Sequence, residues 1–490
     1  MVTEQIDIPQ SLASAEGLTF DEGLLVSKLT SIWLEHVASN RRNESFYEGT
    51  YPIEPLGIAI DPKKASVFEE RVDWARKAVD YIANRSQFDG FSAGDDEAAV
   101  SWLRRWSADN DIANAYAGAI TSTLTHSCAF ATVTTQEHHD PLLRFYPATA
   151  AAALWDRRAG RLGAGLVVAD MAEIEGQSVP TLVDVFTPTE LIELSYKRDG
   201  WVAQTTPHRL GRCHMVAIAN RPSLRYPFGR SKIGPGMRSL VGEASEVMAL
   251  MKLAVQFAAA PQTYALGLDP ETMETKSPFK SYMDRMWAVS RDENGDVPQF
   301  GQLTQLTMEP LLSTMRTLSS MAAADAGVPA STFGVVTDNP SSAEAINAAR
   351  EDAVIEVTRL NRQASSALAD AAHIALAIRD DITFDESLEA YPEVAVKFRP
   401  ASMPSEASLA DSMLKQSQII EWLADSDVLL KRLGYTDEEI ASLEQTKRDY
   451  RSRQTMETLS ALPEVVQAPG SGIAEEVVAH EDEPPEPAGL

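Results

Sequence analysis

From about Ser341 to Arg379, apolar residues recur at three- and four-residue steps, and neither glycine nor proline interrupts them. Ile346, Ala349, Ala353, Val357, Leu360, Ala364, Ala367, Ala371, Ile374 and Ile378 mark one face. That period predicts one amphipathic α-helix. Its start is specified by Ser341 and Glu344, an S-x-x-E capping box directly after Pro340, whose side chains can satisfy otherwise free backbone amides. At ~1.5 Å per residue, roughly 38 residues make a rod ~57 Å long. Helices average about 11 to 12 residues, so this element is long for a compact enzyme core and suits a rigid spacer.

The remaining pattern predicts an α+β, predominantly helical chain. Leu24, Leu25, Leu29, Ile32, Trp33 and Val37 follow a helical period, with Thr19 or Asp21 as cap, and Asn40 to Tyr51 runs from the helix end into a proline-containing connection. Helices are expected over Val67 to Asn84, from Asp95 or Asp96 through Trp106, and from Ile112 to about Leu124. Short apolar or alternating runs then predict an antiparallel sheet: Ala129–Val133, Leu142–Tyr146, Leu166–Ala169, Leu182–Phe186, Trp201–Gln204 and Met215–Ile218. A helical period returns from Ile233 to Ala259, where Pro261 stops it, and again from Leu303 to Ala326; the two flank an insert of about forty residues. Val394–Phe398 reads as a strand, followed by helices at Ser405 to Asp425 and Asp437 to Tyr450. The tail from Pro463 to Leu490 holds seven acidic residues and no Lys or Arg, a composition expected to stay disordered.

Composition narrows the function classes. In 490 residues, 43 Lys plus Arg face 71 Asp plus Glu, a formal charge of −28. The length predicts about three domains. Such an acidic balance argues against an extended phosphate-binding surface, because nucleic-acid affinity comes largely from Lys and Arg displacing counterions. The two cysteines, Cys128 and Cys213, form no framework, which suits a reducing cytoplasm. Met1 to Gln10 lacks a secretory pattern, and no apolar run approaches the ~20 residues that span a bilayer, so a soluble protein without a membrane partner is expected.

Catalytic motifs are weak or missing. There is no G-x-x-x-x-G-K-[ST] loop, and Gly234-Pro235-Gly236 reads as a turn opening a helix. Glu137-His138-His139-Asp140 offers metal-compatible donors, but adjacent ligands do not make the i, i+4 geometry of a helical zinc site; a solvated turn is the better reading, with a metal-dependent hydrolase as the enzymatic alternative. No G-x-S-x-G elbow accompanies His126, His208, His214 or His373, which read as structural. The cysteines read as small buried hydrophobes, Met237, Met248 and Met251 as core, and the doublets Arg41-Arg42, Lys63-Lys64, Arg104-Arg105 and Arg157-Arg158 as solvated faces or subunit salt bridges. No catalytic residue, metal or cofactor is expected. From the residues alone, the chain is a multidomain, mainly helical assembly subunit.

Four segments in order carry a resemblance: Asn40-Arg41-Arg42-Asn43-Glu44-Ser45-Phe46-Tyr47-Glu48-Gly49, Tyr226-Pro227-Phe228-Gly229-Arg230-Ser231, Ala260-Pro261-Gln262, and Asp338-Asn339-Pro340-Ser341-Ser342-Ala343-Glu344-Ala345-Ile346. With the helix, insert, helix, loop and long-helix order, the chain resembles bacteriophage portal proteins, particularly those of long-tailed phages of actinobacteria. The resemblance implies an N-terminal arm (1–19), a wing (20–228), a stem helix (229–260), a clip (261–303), a second stem helix (304–327), a tunnel loop (328–340), a long wing helix and strand (341–400), a crown (401–462) and the acidic tail (463–490). It further implies a ring, a dodecamer, at one capsid vertex, through which double-stranded DNA is packaged and ejected without sequence specificity. The implied partners are other copies of the chain, the large terminase, head-tail connector or adaptor proteins and the major capsid protein. The tunnel-loop candidates are Phe333, Val335, Val336, Thr337, Asp338 and Asn339, in a segment without Lys or Arg. A scaffolding or adaptor protein without a pore is the competing class.

Overall fold

A computed structural model describes residues 12–53, 70–135, 140–174, 177–197, 200–259, 263–266, 299–302, 307–334, 343–402, 406–420, 422–423, 426–433, 435 and 437–460. The chain divides into two compact units, Met1–Ser402 and Met403–Leu490.

In the first unit, Thr19 caps α1 (Phe20–Glu48) in a reciprocal box: its hydroxyl accepts the Glu22 N–H, and the Glu22 carboxylate accepts the Thr19 N–H at 2.7 Å. Among the described residues three further helices follow, α2 (Trp74–Ala83), α3 (Glu97–Asp109) and α4 (Ile112–His126), with β1 (Phe88–Ala93) between α2 and α3. Asp96 caps α3 by accepting the Ala99 N–H at 2.9 Å. The helix expected from Val67 begins at Trp74, and its stretch before Glu70 lies outside the described residues.

Eight strands come next: β2 (Cys128–Thr134), β3 (Leu142–Pro147), β4 (Ala151–Asp156), β5 (Arg161–Ile174), β6 (Gln177–Phe186), β7 (Glu190–Lys197), β8 (Gly200–Pro207) and β9 (Met215–Ala219). They form a five-stranded antiparallel meander, β4-β5-β6-β7-β8, and a three-stranded sheet, β3-β2-β9. Alternation sorts β5 between two cores. Ala164, Leu166 and Val168 join Val26, Leu29, Trp33 and Val37 of α1, whereas Val167 faces Phe130 and Met215 of the smaller sheet. The other face of that sheet, through Ala131, Val133, Val216 and Ile218, enters the main helical core. Strands β4 and β7 are absent from the sequence-based expectation because Ala-Ala-Ala-Leu and Glu-Leu-Ile-Glu-Leu are helix-prone; cross-strand pairing overrides that propensity.

Helix α5 (Pro235–Ala259) leads to the antiparallel pair β10 (Thr263–Leu266) and β11 (Gln299–Gln302), then to α6 (Glu309–Ala326). Expected from Leu303, α6 instead starts beside Pro310, which a helix tolerates in its first turn. After it come α7 (Ala343–Asp380), α8 (Phe384–Ala390) and β12 (Val394–Phe398), which pairs with β1 to make an unanticipated two-stranded sheet. The long helix exists as expected, but burial is not confined to one face. Leu368, Ala372, Ala375 and Leu376 are as fully buried as Ala364, Ala371 and Ile374, so the C-terminal half of α7 is enclosed by the core.

The second unit contains α9 (Glu406–Ile419), α10 (Asp427–Leu433) and α11 (Asp437–Ser460), with Met413, Leu423 and Ile440 buried. The helix expected over Ser405 to Asp425 ends at Ile419. The acidic tail lies outside the described residues.

Two histidines make the core acid-sensitive. Burial drives His126 down to about 4, and burial followed by the neighbouring His208 drives His214 down to about 3; the His208 and His214 ring centroids are 4.0 Å apart. Both are neutral when folded, so the unfolded chain binds more protons below its ordinary histidine value near ~6.5. Stability is full above that value and falls as pH drops toward each folded value, by up to about 1.4 kcal/mol per pH unit for each histidine. Urea midpoints should therefore fall between pH 7 and 5, and a His126→Gln chain should show a shallower fall.

Candidate functional site

Two of the segments quoted for the resemblance, 40–49 and 226–231, converge where the sheet hands the chain to α5, while 260–262 and 338–342 lie outside the described residues. Asn40 of α1 donates from Nδ2 to the Ala148 carbonyl at 3.0 Å, and Asn43 accepts a bond from Arg238 of α5 at 2.6 Å. Phe46 stacks on Tyr51 at 4.4 Å, and the Tyr51 hydroxyl shares a hydrogen bond with Ser245 of α5 at 2.7 Å. Tyr47 donates to Asp80 of α2 at 3.0 Å. Phe228 wedges against Phe130 and Trp155, Arg230 donates its N–H to the Asn220 carbonyl at 2.8 Å, and Ser231 Oγ donates to the Thr125 carbonyl at 2.5 Å.

A buried charge pair fastens this junction to α7. Lys232 Nζ donates to both carboxylate oxygens of Glu356, at 2.5 and 2.6 Å, and Arg221 approaches the same carboxylate at 3.1 Å. Burial lowers the Lys232 pKa, and the attraction of Glu356 opposes that shift. The pair also adjoins the end of α6, since a Cβ placed on Gly327 would lie 3.4 Å from Glu356 Oε2. Helices α5 and α6 pack side by side and run antiparallel, with Gly236 at one start beside Asp325 at the other end. Sequence reading missed this pair, yet a signal was present: Glu356 falls three residues after Ala353 and four before Leu360, on the apolar stripe.

After Gly327 a short 3-10 helix, Ala330–Phe333, precedes Gly334. Phe333 is 5% exposed, its ring 5.7 Å from that of Trp74. Within the segment grouped as the tunnel loop, it therefore serves as an anchor in the core. Val335, Val336, Thr337, Asp338, Asn339 and the cap residue Ser341 lie outside the described residues, as does the side chain of Glu344.

Glu137, His138 and His139 lie outside the described residues, and Asp140 is exposed. Burial pushes both cysteine thiols up to about 12, which leaves them protonated and unsuited to nucleophilic work. Among the described residues, no three His, Cys, Asp or Glu side chains are grouped to hold a metal, and no helix is long and apolar enough to cross a membrane.

Over residues 27–452 the chain matches the family described as phage portal protein, SPP1 Gp6-like, and it belongs to that family. The fold is thus the α+β, predominantly helical portal fold. The portal protein of Mycobacterium phage D29 is 28% identical over 447 residues, spanning 87% of this chain and 88% of that one. The portal protein of Mycobacterium phage L5 is 28% identical over 391 residues, spanning 76% and 77%. A chain from the virion of a native gene transfer agent particle is similar at 14% identity and a TM-score of 0.44, covering 79% of this chain and 89% of that chain.

Proposed function

We propose that copies of this chain close a dodecameric ring at one capsid vertex, and that double-stranded DNA enters and leaves the head along its axis. The observation that carries this reading is the family match across residues 27–452, which takes in both compact units. Residues 261–303 serve as the clip that meets the large terminase and later the head-tail connector, and the wing borders the major capsid protein. The ring guides DNA and performs no bond-breaking of its own, with energy supplied by the terminase.

Two physical features support it. Val255 of α5, Met321 of α6 and Ile355 of α7 are 54, 53 and 60% exposed, leaving apolar side chains for neighbouring copies to cover. A charge of −28 per copy disfavours tight adhesion to phosphate, which suits a conduit for moving DNA.

In this reading the tunnel loop begins after Phe333 and Gly334 and presents Val335, Val336, Thr337, Asp338 and Asn339 toward the axis. Negative-stain images and native mass measurement should reveal a holed ring; particles that stay monomeric in all conditions would remove the ring. Asp338→Lys, which rings the bore with new phosphate contacts, should cut packaged DNA severalfold and leave assembly unchanged. Packaging at the wild-type level would remove the tunnel-loop assignment alone.

A further inference from the structure

A cavity of about 840 Å³ lies between the β4–β5 turn, β9, the loop at 222–227 and the middle of α7. Trp155, Leu162 and Pro222 give it apolar walls, and Gln363 of α7 adds a hydrogen-bonding amide. Its charges are unequal. Arg212 and Asp370 are bonded to each other, and the Arg212 guanidinium lies 4.0 Å over the Phe384 ring, so this pair is already matched. Arg157 and Arg161 are exposed at the lining; neither guanidinium is hydrogen-bonded to a described residue, and the charge of Arg161 acts on the carboxylates of Asp370 and Asp156.

The turn that carries them is closed by Asp156, whose Oδ1 accepts the backbone N–H groups of Arg158 at 2.8 Å and Ala159 at 3.1 Å. Two exposed guanidiniums therefore stand over a partly apolar cavity on a chain with an excess of 28 negative charges. A guanidinium presents a planar fork that a carboxylate fills with two parallel hydrogen bonds.

We propose that this cleft receives an acidic segment of a second copy of the chain, with Arg157 and Arg161 forming a charged seam between neighbours. The proposal rests on the ring reading and names one of its contacts. Charge complementarity selects the occupant. Copies at −28 repel one another, and a head-to-tail ring brings two different patches of the same chain together, so a local basic patch on one flank can be matched by the acid that dominates the rest. An extended peptide can also follow the cavity inward to Gln363 and the Arg212–Asp370 pair, which the convex face of a DNA duplex does not enter.

The test is assembly of the full-length chain carrying Arg157→Glu and Arg161→Glu, with an Arg157→Lys, Arg161→Lys chain beside it. Both sites are exposed, so thermal unfolding of the subunit should hold. The reversed chain should need about tenfold or more protein for half-assembly, while the lysine chain assembles with a steeper loss on adding salt. A photo-crosslinker at Gln363, used in rings mixed from isotopically heavy and light chains, should give mixed-label products whose partner peptide is rich in Asp and Glu. Unchanged assembly of the reversed chain, or only same-label products, would overturn the seam and leave the ring standing. Normal rings that retain less DNA would reassign the cleft to phosphate and equally overturn it. Wild-type chains that never assemble would remove the ring reading, and this seam with it.

Discussion

Glu356→Ala is expected to lower the unfolding free energy of the first unit by about 3–5 kcal/mol, the cost of leaving one partner of a buried ion pair without the other. The side chain of Lys232 is 3% exposed and that of Glu356 is 7% exposed, so the orphaned ammonium cannot hydrate in place. The two halves of the pair are not equivalent. Lys232→Met leaves Glu356 with Arg221, whose side chain is about half exposed and brings its own hydration, so this change should cost less. Replacing both, as Lys232→Met with Glu356→Leu, should return stability to near wild type, because packed apolar groups avoid the desolvation of two charges. With Glu356→Leu as the second single change and the wild type as the fourth corner, urea midpoints form a double-mutant cycle. Equal and small losses for the two single changes would show that the pair does not hold this junction.

Gly229→Ala should be comparably damaging, at about 2–6 kcal/mol, from roughly 1–3 for a left-handed non-glycine residue and roughly 1–3 for overpacking. Gly229 sits at φ 74°, and a Cβ there would lie 2.1 Å from the Asn220 carbonyl oxygen. The obstacle is backbone, and it is pinned: Asn220 accepts the Arg230 N–H at 2.8 Å and returns a side-chain bond to the Arg230 carbonyl at 2.7 Å. Gly160 is the control. Its φ is 66°, but nothing lies within 4 Å of a Cβ, so Gly160→Ala should show backbone strain alone. Comparable losses at the two positions would mean that the close approach to Asn220 has no cost.

Helical period made the long elements legible. The apolar spacing of Leu29, Trp33 and Val37 in α1, and the stripe along α7, are visible because side-chain direction follows the 3.6-residue turn, although Leu24, read on the same stripe, is exposed and Val26 is buried instead. Strands β4 and β7 were hidden, since their pairing energy comes from neighbours distant in the chain and their own residues favour helix. The quoted segments were legible as signatures but not as contacts: nothing local tells that Asn43 will meet Arg238 or Tyr51 will meet Ser245. Charged residues in apolar phase are the signal that could have been used. Glu356 and Asp370 each interrupt the α7 stripe, and each found a basic partner. The burial of Phe333 was not legible, because an aromatic in a proline- and glycine-containing stretch carries no local sign of the Trp74 ring it packs against.

Glu356 and Asp370 stand fourteen residues apart on α7, about 21 Å along the axis and nearly in line. One grips Lys232 at the root of α5; the other grips Arg212 beside the arginine-lined cavity. A stiff bar clamped at both places cannot let one end shift while the other stays still. In the proposed ring, a push delivered at the cavity is therefore conveyed to the base of the α5–α6 pair as a tilt.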